Sequence, residues 1–253
     1  MISNGLLDEA VANARHNVEQ LYEWSRQRRP IVACEPSCIL TIRDDYPALL
    51  RGEWRTKAES VAAACLTLED GPPGVESQTD ADGVIQPLCR VIRQHEPDAA
   101  AFVIACFSDP GLFSAREATA KPVLGIAECG ILTALTLGHR FGVISILARS
   151  VPRHLRYIGA MGQAQRLAGD LPIGLGVTEL ADARVTLMRM IDVGRRLRDG
   201  HGADVLVMGC AGMARHRSDL EEAVRIPVVE PTQAAVTMAL GRVRLGWGTS
   251  LKY

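Results

Sequence analysis

The 253-residue chain lacks an excess of charge of either sign. It has 28 basic and 29 acidic residues, which give a formal net charge of −1. Proteins that bind nucleic acid or an anionic membrane surface concentrate basic side chains, so we expect neither partner here. The hydrophobic share of 47% and the charged share of 23% are ordinary for a soluble globular protein. The length suffices for one large or two modest domains.

Long apolar runs are also missing. The first thirty residues carry acids and arginines but no apolar core run, which argues against a secretory signal peptide. No run elsewhere reaches the roughly 20 residues that a membrane-spanning helix needs. The expected location is therefore the cytoplasm.

Disulfide and metal-binding patterns are absent as well. The seven cysteines are odd in number and the chain is not small, so a disulfide framework is not expected. There is no CxxC and no HExxH, and the six histidines include no pair at the helical spacing of a metal site. The sequence therefore predicts neither a structural zinc site nor another metal.

What the sequence does have is a repeated alternation of apolar strands and helices. Strands are predicted within 31–40 and at 99–105, 122–127, 141–147, 173–177, 203–209 and 226–230. Helices are predicted at 6–29, 56–70 and 84–95, from near Ser114, and at 130–138, 154–168, 179–198, 218–225 and 232–244. Uniformly apolar strands that alternate with helices indicate an α/β fold, in which helices cover both faces of a parallel sheet.

Two of the predicted strands end in a cysteine. Cys106 in "FVIACFSDPG" and Cys210 in "VLVMGCAGM" each precede a turn that opens a helix. Open parallel sheets bind ligands at the carboxyl ends of their strands, and the N–H groups of a helix start stabilise a thiolate. One such cysteine is more often a small buried apolar residue. Two in matching contexts favour a functional pair.

Five segments carry a resemblance to a known family: "IACFSDPGLFSARE" (104–117), "KPVLGIAECG" (121–130), "FGVISIL" (141–147), "MGCAGMA" (208–214) and "IPVVEPTQAAV" (226–236). Over about residues 71–253 the chain resembles the hydantoin and allantoin racemases of the aspartate/glutamate racemase superfamily. The resemblance implies two pseudo-symmetric, Rossmann-like parallel-sheet domains with one catalytic cysteine each. Domain A would comprise 71–128 plus 230–253, domain B would comprise 129–229, and 1–70 would be a foreign or atypical N-terminal segment.

The chemistry that this resemblance implies is a cofactor-independent racemisation of hydantoin-like or amino-acid-derived substrates. Cys106 and Cys210 would face opposite sides of one carbon, where one removes a proton and the other returns one. The implied substrate-binding residues are Glu76, Ser77, Phe107, Ser108, Ala211, Gly212 and Glu230.

Several of these residues have a structural alternative. Glu76 and Ser77 match a "GP…ES" element of the family, but they also fit a solvated loop. Glu230 either binds a ring N–H or caps the last helix, and the cap is favoured. We interpret Asp109 and Arg116 as turn and helix-capping groups rather than catalysts.

The N-terminal segment departs from the family pattern. The family's Asn-Pro-Asn-type loop, which follows the first strand, is absent from 1–70. Residues 8–50 instead resemble a fragment of the cysteine-rich C-terminal domain of FAD-linked oxidases of the D-lactate and glycolate type. Its one or two cysteines cannot hold an iron–sulfur cluster alone. The first strand of the racemase fold is thus expected to be missing, or replaced by one near 30–34.

Other functions stay open at this point. They are a one-cysteine decarboxylase or cis–trans isomerase of the same superfamily, a redox protein, and an inactive fusion with an oxidoreductase fragment. The presence of both Cys106 and Cys210 argues against the decarboxylase. The expected partner is a small-molecule substrate, and a homo-oligomer is left open.

Overall fold

The computed structural model describes residues 46–66, 75–176, 179–180 and 182–250, together with residues 11, 14–15, 18–19, 22, 26 and 31–32 near the N-terminus. The described positions within the predicted helix 6–29 are helical. Cys34, Cys38 and the first four residues of the "GPPGVES" loop lie outside the described residues, as does most of the 8–50 segment. Among the described helices, none combines the length and apolar character that crossing a membrane requires.

The N-terminal elements include a short parallel pair of strands. In chain order they are β1 (Ile31–Val32), α1 (Tyr46–Leu49), α2 (Glu53–Ala64) and β2 (Cys65–Leu66). β1 pairs with β2, and β1 lies within the segment expected to supply a replacement first strand. The helix predicted over 56–70 is wrong at Cys65 and Leu66, because pairing with β1 there overrides the helical pattern.

The middle of the chain forms a second parallel pair. Its elements are α3 (Gln78–Gly83), α4 (Ile85–His95), β3 (Phe102–Ile104), α5 (Leu112–Glu117) and β4 (Val123–Gly125). β3 pairs with β4. α3 begins at a capping box, in which the Ser77 hydroxyl accepts a hydrogen bond from the Asp80 N–H and the Asp80 carboxylate accepts one from the Ser77 N–H. The apolar face of α4 packs with β3 in one buried cluster, as its spacing predicts.

The C-terminal half contains a four-stranded parallel sheet in the order β6-β5-β7-β8. The elements are α6 (Ile126–Leu137), β5 (Phe141–Ser145), α7 (Val151–Ala160), β6 (Leu167–Pro172), α8 (Ala183–His201), β7 (Val205–Met208), α9 (Arg217–Val224), β8 (Val228–Val229) and α10 (Pro231–Leu245). β5 and β7 are buried at every position, because they lie in the centre of the sheet under helices. The predicted parallel α/β fold is confirmed.

Two predictions around α7 and β6 are wrong. The helix predicted over 154–168 ends at Ala160, since Gly162 has a φ of +72°, which lies outside the right-handed helical region. The strand predicted at 173–177 lies instead at 167–172, and Val177 lies outside the described residues. β6 is an edge strand whose positions are mostly half-buried, so "LAGDLP" forms it without a continuous apolar run. A smaller error lies at 122–127, where the strand stops at Gly125 and α6 starts at Ile126.

The two sheets occupy the two segments expected for domains A and B. β3 and β4 belong to the 71–128 segment, and the four-stranded sheet lies within 129–229. α10 packs against α6 and also against β3 and β4. The division into domains stays a prediction.

Candidate active site

Cys106 and Cys210 lie just beyond the carboxyl ends of β3 and β7. Both are buried, with exposed fractions of 7% and 5%. The Cys106 Sγ lies 3.9 Å from the Phe107 carbonyl oxygen. Cys210 is the residue before a 3₁₀ helix, Ala211–His216. The strand-end placement that the sequence predicts for both thiols is therefore found in the fold.

The turns that carry these cysteines border the same parts of the core. Ala105, before Cys106, and Ala211, after Cys210, both pack against the apolar cluster in which α6 and α10 meet. Phe107 belongs to a second cluster together with Val205 and Val207 of β7. Elements from both segments thus bring the two turns towards one region. That the two sulfurs face each other across a substrate carbon stays a prediction.

The turn after Cys106, residues 106–111, has an unusual backbone, and we call it the Cys106 turn. Ser108 has a φ of +80° and Asp109 a φ of +50°, and both are buried. Non-glycine residues in this left-handed region cost free energy and persist where the surroundings hold them. The contacts that hold this turn are therefore part of the site.

One anchor of the turn is the Asp109 carboxylate. Its Oδ1 and Oδ2 accept hydrogen bonds of 2.8 Å from the N–H groups of Ala127 and Glu128 at the start of α6, and the Tyr157 hydroxyl donates to Oδ2 at 2.6 Å. Burial raises the pKa of Asp109 to about 7, against the opposite effect of these three donors. A Cβ at Gly125 would lie 2.1 Å from the carboxylate, so only glycine fits there. The interpretation of Asp109 as a turn and capping group agrees with these contacts.

A second anchor is Arg153 on α7, which sequence reasoning missed. Its Nε donates to Ser108 Oγ at 2.8 Å, its Nη1 to the Ser77 carbonyl at 3.0 Å and its Nη2 to the Val75 carbonyl at 3.3 Å. The side chain is buried despite its charge. An arginine on the inner face of an amphipathic helix has no distinctive spacing, so no sequence signal could have identified it.

A buried polar group of three residues packs against Phe107. His154 of α7 packs its ring edge-on against Phe107, with ring centroids 5.0 Å apart. Its Nδ1 lies 2.8 Å from Asp170 Oδ2, and the Ser145 hydroxyl donates to the same carboxylate. Sequence reasoning also missed these three residues: Asp170 because β6 was predicted in the wrong place, and His154 and Ser145 because their partners are distant in the sequence.

The Cys210 side is held by close backbone packing. The Gly209 N–H donates to the Ile144 carbonyl at 2.8 Å, and a Cβ at Gly209 would lie 2.7 Å from that oxygen. A Cβ at Gly212 would lie 3.1 Å from Leu180 Cδ1 and 3.6 Å from Cys210 Sγ. Arg215 donates to the Leu180 carbonyl, and burial lowers the pKa of the neighbouring His216 to about 4. Cys210 and the 3₁₀ helix Ala211–His216 that follows it, which we call the Cys210 turn, are thus supported by residues other than those of α7.

The remaining predicted site residues are also accounted for. Glu230 accepts hydrogen bonds from the Thr232 and Gln233 N–H groups, so the cap interpretation is confirmed. Glu76 forms an ion pair with Arg149, and Ser77 caps α3. Glu76 and Ser77 are half-buried rather than fully solvated.

Arg116 is buried and pairs with Glu128 of α6. Substrate binding by Glu76, Ser77, Phe107, Ser108, Ala211, Gly212 and Glu230 stays a prediction.

Two open surface clefts lie elsewhere on the molecule. One is lined by Arg195, Asp219, Glu222, Ala223 and Arg225, and the other by Pro172, Ile173, Met188, Arg189, Asp192, Val193 and Arg196. Neither is lined by a residue of the Cys106 or Cys210 turn. Within the part of the chain that the structure describes, no three His, Cys, Asp or Glu side chains are grouped so as to hold a metal ion.

Comparison with known proteins places this arrangement among related sequences and folds. The Asp/Glu/Hydantoin racemase family model matches residues 53–239. A hydantoin racemase of Rhizobium meliloti is 34% identical over 194 residues, which cover 72% of this chain and 76% of that protein. A hydantoin racemase of Paenarthrobacter aurescens is 34% identical over 223 residues, or 84% of this chain and 93% of that protein.

A solved structure shows the same likeness in three dimensions. The allantoin racemase of Pseudomonas fluorescens superposes with a TM-score of 0.73 at 25% identity, covering 88% of this chain and 93% of that chain. The family match begins at residue 53, ahead of the resemblance seen over about 71–253. The resemblance of 8–50 to an oxidase fragment stays an unsupported prediction.

Proposed function

Because this chain belongs to the Asp/Glu/hydantoin racemase family, we propose that it is an isomerase that racemises hydantoin-like rings or related amino-acid derivatives with Cys106 and Cys210 as its two proton-transfer groups. The observation that carries the proposal is the matched placement of two buried thiols just beyond the ends of β3 and β7. Ligands of open parallel sheets bind at this edge.

The proposed reaction begins with one cysteine as thiolate and the other as thiol. The thiolate removes the proton from the carbon next to the substrate carbonyl, and the electron pair left on that carbon delocalises onto the carbonyl oxygen. The thiol on the opposite face then donates its proton to the carbon, which inverts the centre. The first cysteine is left protonated and the second ionised, so the reverse direction uses the same groups with exchanged roles.

The backbone around the thiols suits such an intermediate. The carbonyl oxygen gains negative charge as the proton leaves, and N–H donors fixed in place stabilise that charge without rearranging. We assign this role to the backbone of the two turns. Gly212 supports the assignment, because it leaves open the space beside Cys210 Sγ, from which an added Cβ would lie 3.6 Å away.

Polarimetry with enantiopure substrates tests the proposed function. The panel is L-5-substituted hydantoins, S-allantoin, L-aspartate and L-glutamate, and the expected result is decay of the optical rotation to zero with at least one hydantoin-like ring. The double variant Cys106→Ser, Cys210→Ser is the matched control and should leave the rotation constant. Release of carbon dioxide from a malonate-type acid, without racemisation of the panel, would identify the one-cysteine decarboxylase instead. No reaction with the panel or such an acid would favour the inactive fusion.

A further inference from the structure

One face of α7 contacts three consecutive residues of the Cys106 turn. The contacts are His154 with Phe107, Arg153 with Ser108 and Tyr157 with Asp109. Arg153 and Tyr157 are one helical turn apart and therefore point to the same side of α7. α7 follows β5, so a helix of the four-stranded sheet holds the turn that leaves β3. The geometry of Cys106 accordingly depends on α7.

Arg153 makes the most extensive of these contacts. Three of its N–H groups donate to three different residues, Ser108 in the turn and Ser77 and Val75 ahead of α3. A guanidinium has five donors in a rigid plane, so three divergent bonds fix both its position and its orientation. Its burial means that little water screens its charge.

The charge of Arg153 acts on Cys106. Burial lowers the pKa of Arg153, whereas the negative charges of an ionised Cys106 and of Asp80 act in the opposite direction by favouring the cation. This electrostatic interaction is reciprocal, so the cation favours the Cys106 thiolate by the same coupling. Arginine stays protonated in proteins, so the charge is present at every pH at which the thiol ionises.

The other titratable groups around the turn are already engaged. Asp109 accepts from the start of α6, Glu128 of α6 pairs with Arg116, and His154 pairs with Asp170 of β6. Asp80 of α3 accepts from the Ser77 N–H, and Arg156 of α7 donates to Gln78 on the exposed surface. Tyr157 donates to Asp109. Arg153, by contrast, is a cation that donates a hydrogen bond to a side chain of the Cys106 turn.

We propose that Arg153 is a positioning residue that holds the Cys106 turn through Ser108 and supplies the fixed positive charge that favours the Cys106 thiolate. The inference rests on the proposed two-cysteine function and adds an asymmetry to it. The hydrogen bond of Arg153 reaches Ser108 of the Cys106 turn, whereas Cys210 follows β7 and its turn packs against Ile144 and Leu180. Loss of Arg153 should therefore impair proton removal from one enantiomer and spare the other.

The first measurement follows the thiols without any turnover. The parent and the variant Arg153→Met are alkylated with iodoacetamide across a pH series, and the labelled Cys106 and Cys210 peptides are quantified by mass spectrometry. In Arg153→Met the pH midpoint of Cys106 alkylation should rise by about one unit, a tenfold loss of thiolate at neutral pH, while the Cys210 midpoint stays unchanged. Arg156→Met is the matched control on the same helix and should move neither midpoint.

Two further variants keep the test sound should Arg153→Met fold poorly. Arg153→Lys retains the charge but not the fork of donors, so it should restore much of the Cys106 midpoint. Ser108→Ala removes the acceptor and leaves the arginine, so it should slow catalysis with a smaller change of midpoint. Equal shifts at both cysteines, or no shift at Cys106 in any Arg153 variant, would overturn the inference.

The second measurement is deuterium exchange into each pure enantiomer in heavy water. Arg153→Met should slow exchange about tenfold or more for the enantiomer that Cys106→Ser also fails to exchange, and leave the other near the parent rate. Equal slowing for both enantiomers would overturn the positioning role. The two proposals can fail separately. If the parent shows neither exchange nor racemisation but Arg153→Met still raises the Cys106 alkylation midpoint, the proposed function is overturned and the electrostatic part of the inference is upheld.

Discussion

Cys106 and Cys210 differ from Cys89 and Cys129 in where they lie rather than in how deeply they are buried. All four are buried, but Cys89 and Cys129 lie inside α4 and α6. Burial raises the pKa of Cys89, and it raises that of Cys129 to about 12 with help from Glu128 and Asp109. A thiol in such surroundings stays protonated and inert near neutral pH. Burial alone therefore does not separate the two proposed catalytic cysteines from the other two, whereas their position after a strand does.

Replacing either helical cysteine should leave the chemistry intact. Cys89→Ala and Cys129→Ala should each keep the racemisation rate per folded molecule within about twofold of the parent, since neither thiol lies in the Cys106 turn or the Cys210 turn. Rates are measured by polarimetry and normalised to folded protein by circular dichroism. A loss on the order of a hundredfold, typical of a missing acid or base, would move the site elsewhere. Cys65, which lies inside the helix predicted over 56–70, instead begins β2.

The raised pKa of Asp109 predicts a pH-dependent stability. Its carboxyl keeps its proton in the folded state up to about pH 7, but the unfolded chain releases it near the ordinary value of 3.8. The folded state therefore binds more protons between these values, and its stability falls as the pH rises from about 4 to about 7. Relative to Asp109→Asn, the parent should lose on the order of a few kcal/mol of unfolding free energy across this window.

Urea unfolding at a series of pH values measures this difference. Asp192→Asn, on the exposed surface of α8, is the control and should follow the parent curve. Parallel curves for the parent and Asp109→Asn would mean that Asp109 is ionised throughout the range.

At the scale of elements, the strands beside the candidate site were the easiest to predict. β3, β5 and β7 are short, mostly apolar runs that alternate with helices, and β5 and β7 are buried at every position, as expected for central strands of a parallel sheet. β6 was missed because an edge strand tolerates Gly169 and Asp170. The inward polar face of α7 was missed because Arg153 and His154 become site residues only through contacts with a turn some 45 residues earlier. Sequence periodicity reports which face of a helix is buried, not which polar group that face meets.

The contact between Asp109 and the start of α6 depends on Gly125. In Gly125→Ala the new methyl group would overlap the Asp109 carboxylate, and the obstruction is a side chain held by three hydrogen bonds. We expect the free energy of unfolding to fall by about 2 kcal/mol or more, of the size seen when a buried polar network is broken. Proton transfer by Cys106 should also become slower.

Gly159→Ala on α7 is the matched control for this prediction. A Cβ there meets nothing within 4 Å, so the change should stabilise the helix by about 0.5–1 kcal/mol. Thermal unfolding of both variants measures the two changes in stability, which should be a loss for Gly125→Ala and a gain for Gly159→Ala. A Gly125→Ala protein as stable as the parent would show that the Cys106 turn does not need this contact.

At the scale of the whole molecule, the two cysteines of the candidate site follow strands of two different sheets. Cys106 follows a strand of the β3–β4 pair, and Cys210 follows a central strand of the four-stranded sheet. α10 packs on β3, β4 and α6, and its buried cluster with α6 also contacts Ala105 and Ala211, the neighbours of the two cysteines. Two thiols supplied by separate sheets are suited to opposite faces of one carbon, which predicts that their roles can be separated by mutation.

Replacing one thiol should abolish racemisation but not proton exchange. Serine is a far poorer base than cysteine near neutral pH, while the remaining thiolate can still remove a proton from its own face of the substrate. Cys106→Ser and Cys210→Ser should therefore each retain deuterium exchange into one enantiomer, and the two variants should retain it on opposite enantiomers. NMR of each pure enantiomer in heavy water measures the exchange, with Cys129→Ser as the control that keeps both. If both variants exchange the same enantiomer, or if either still racemises at the parent rate, one thiol does not serve each face.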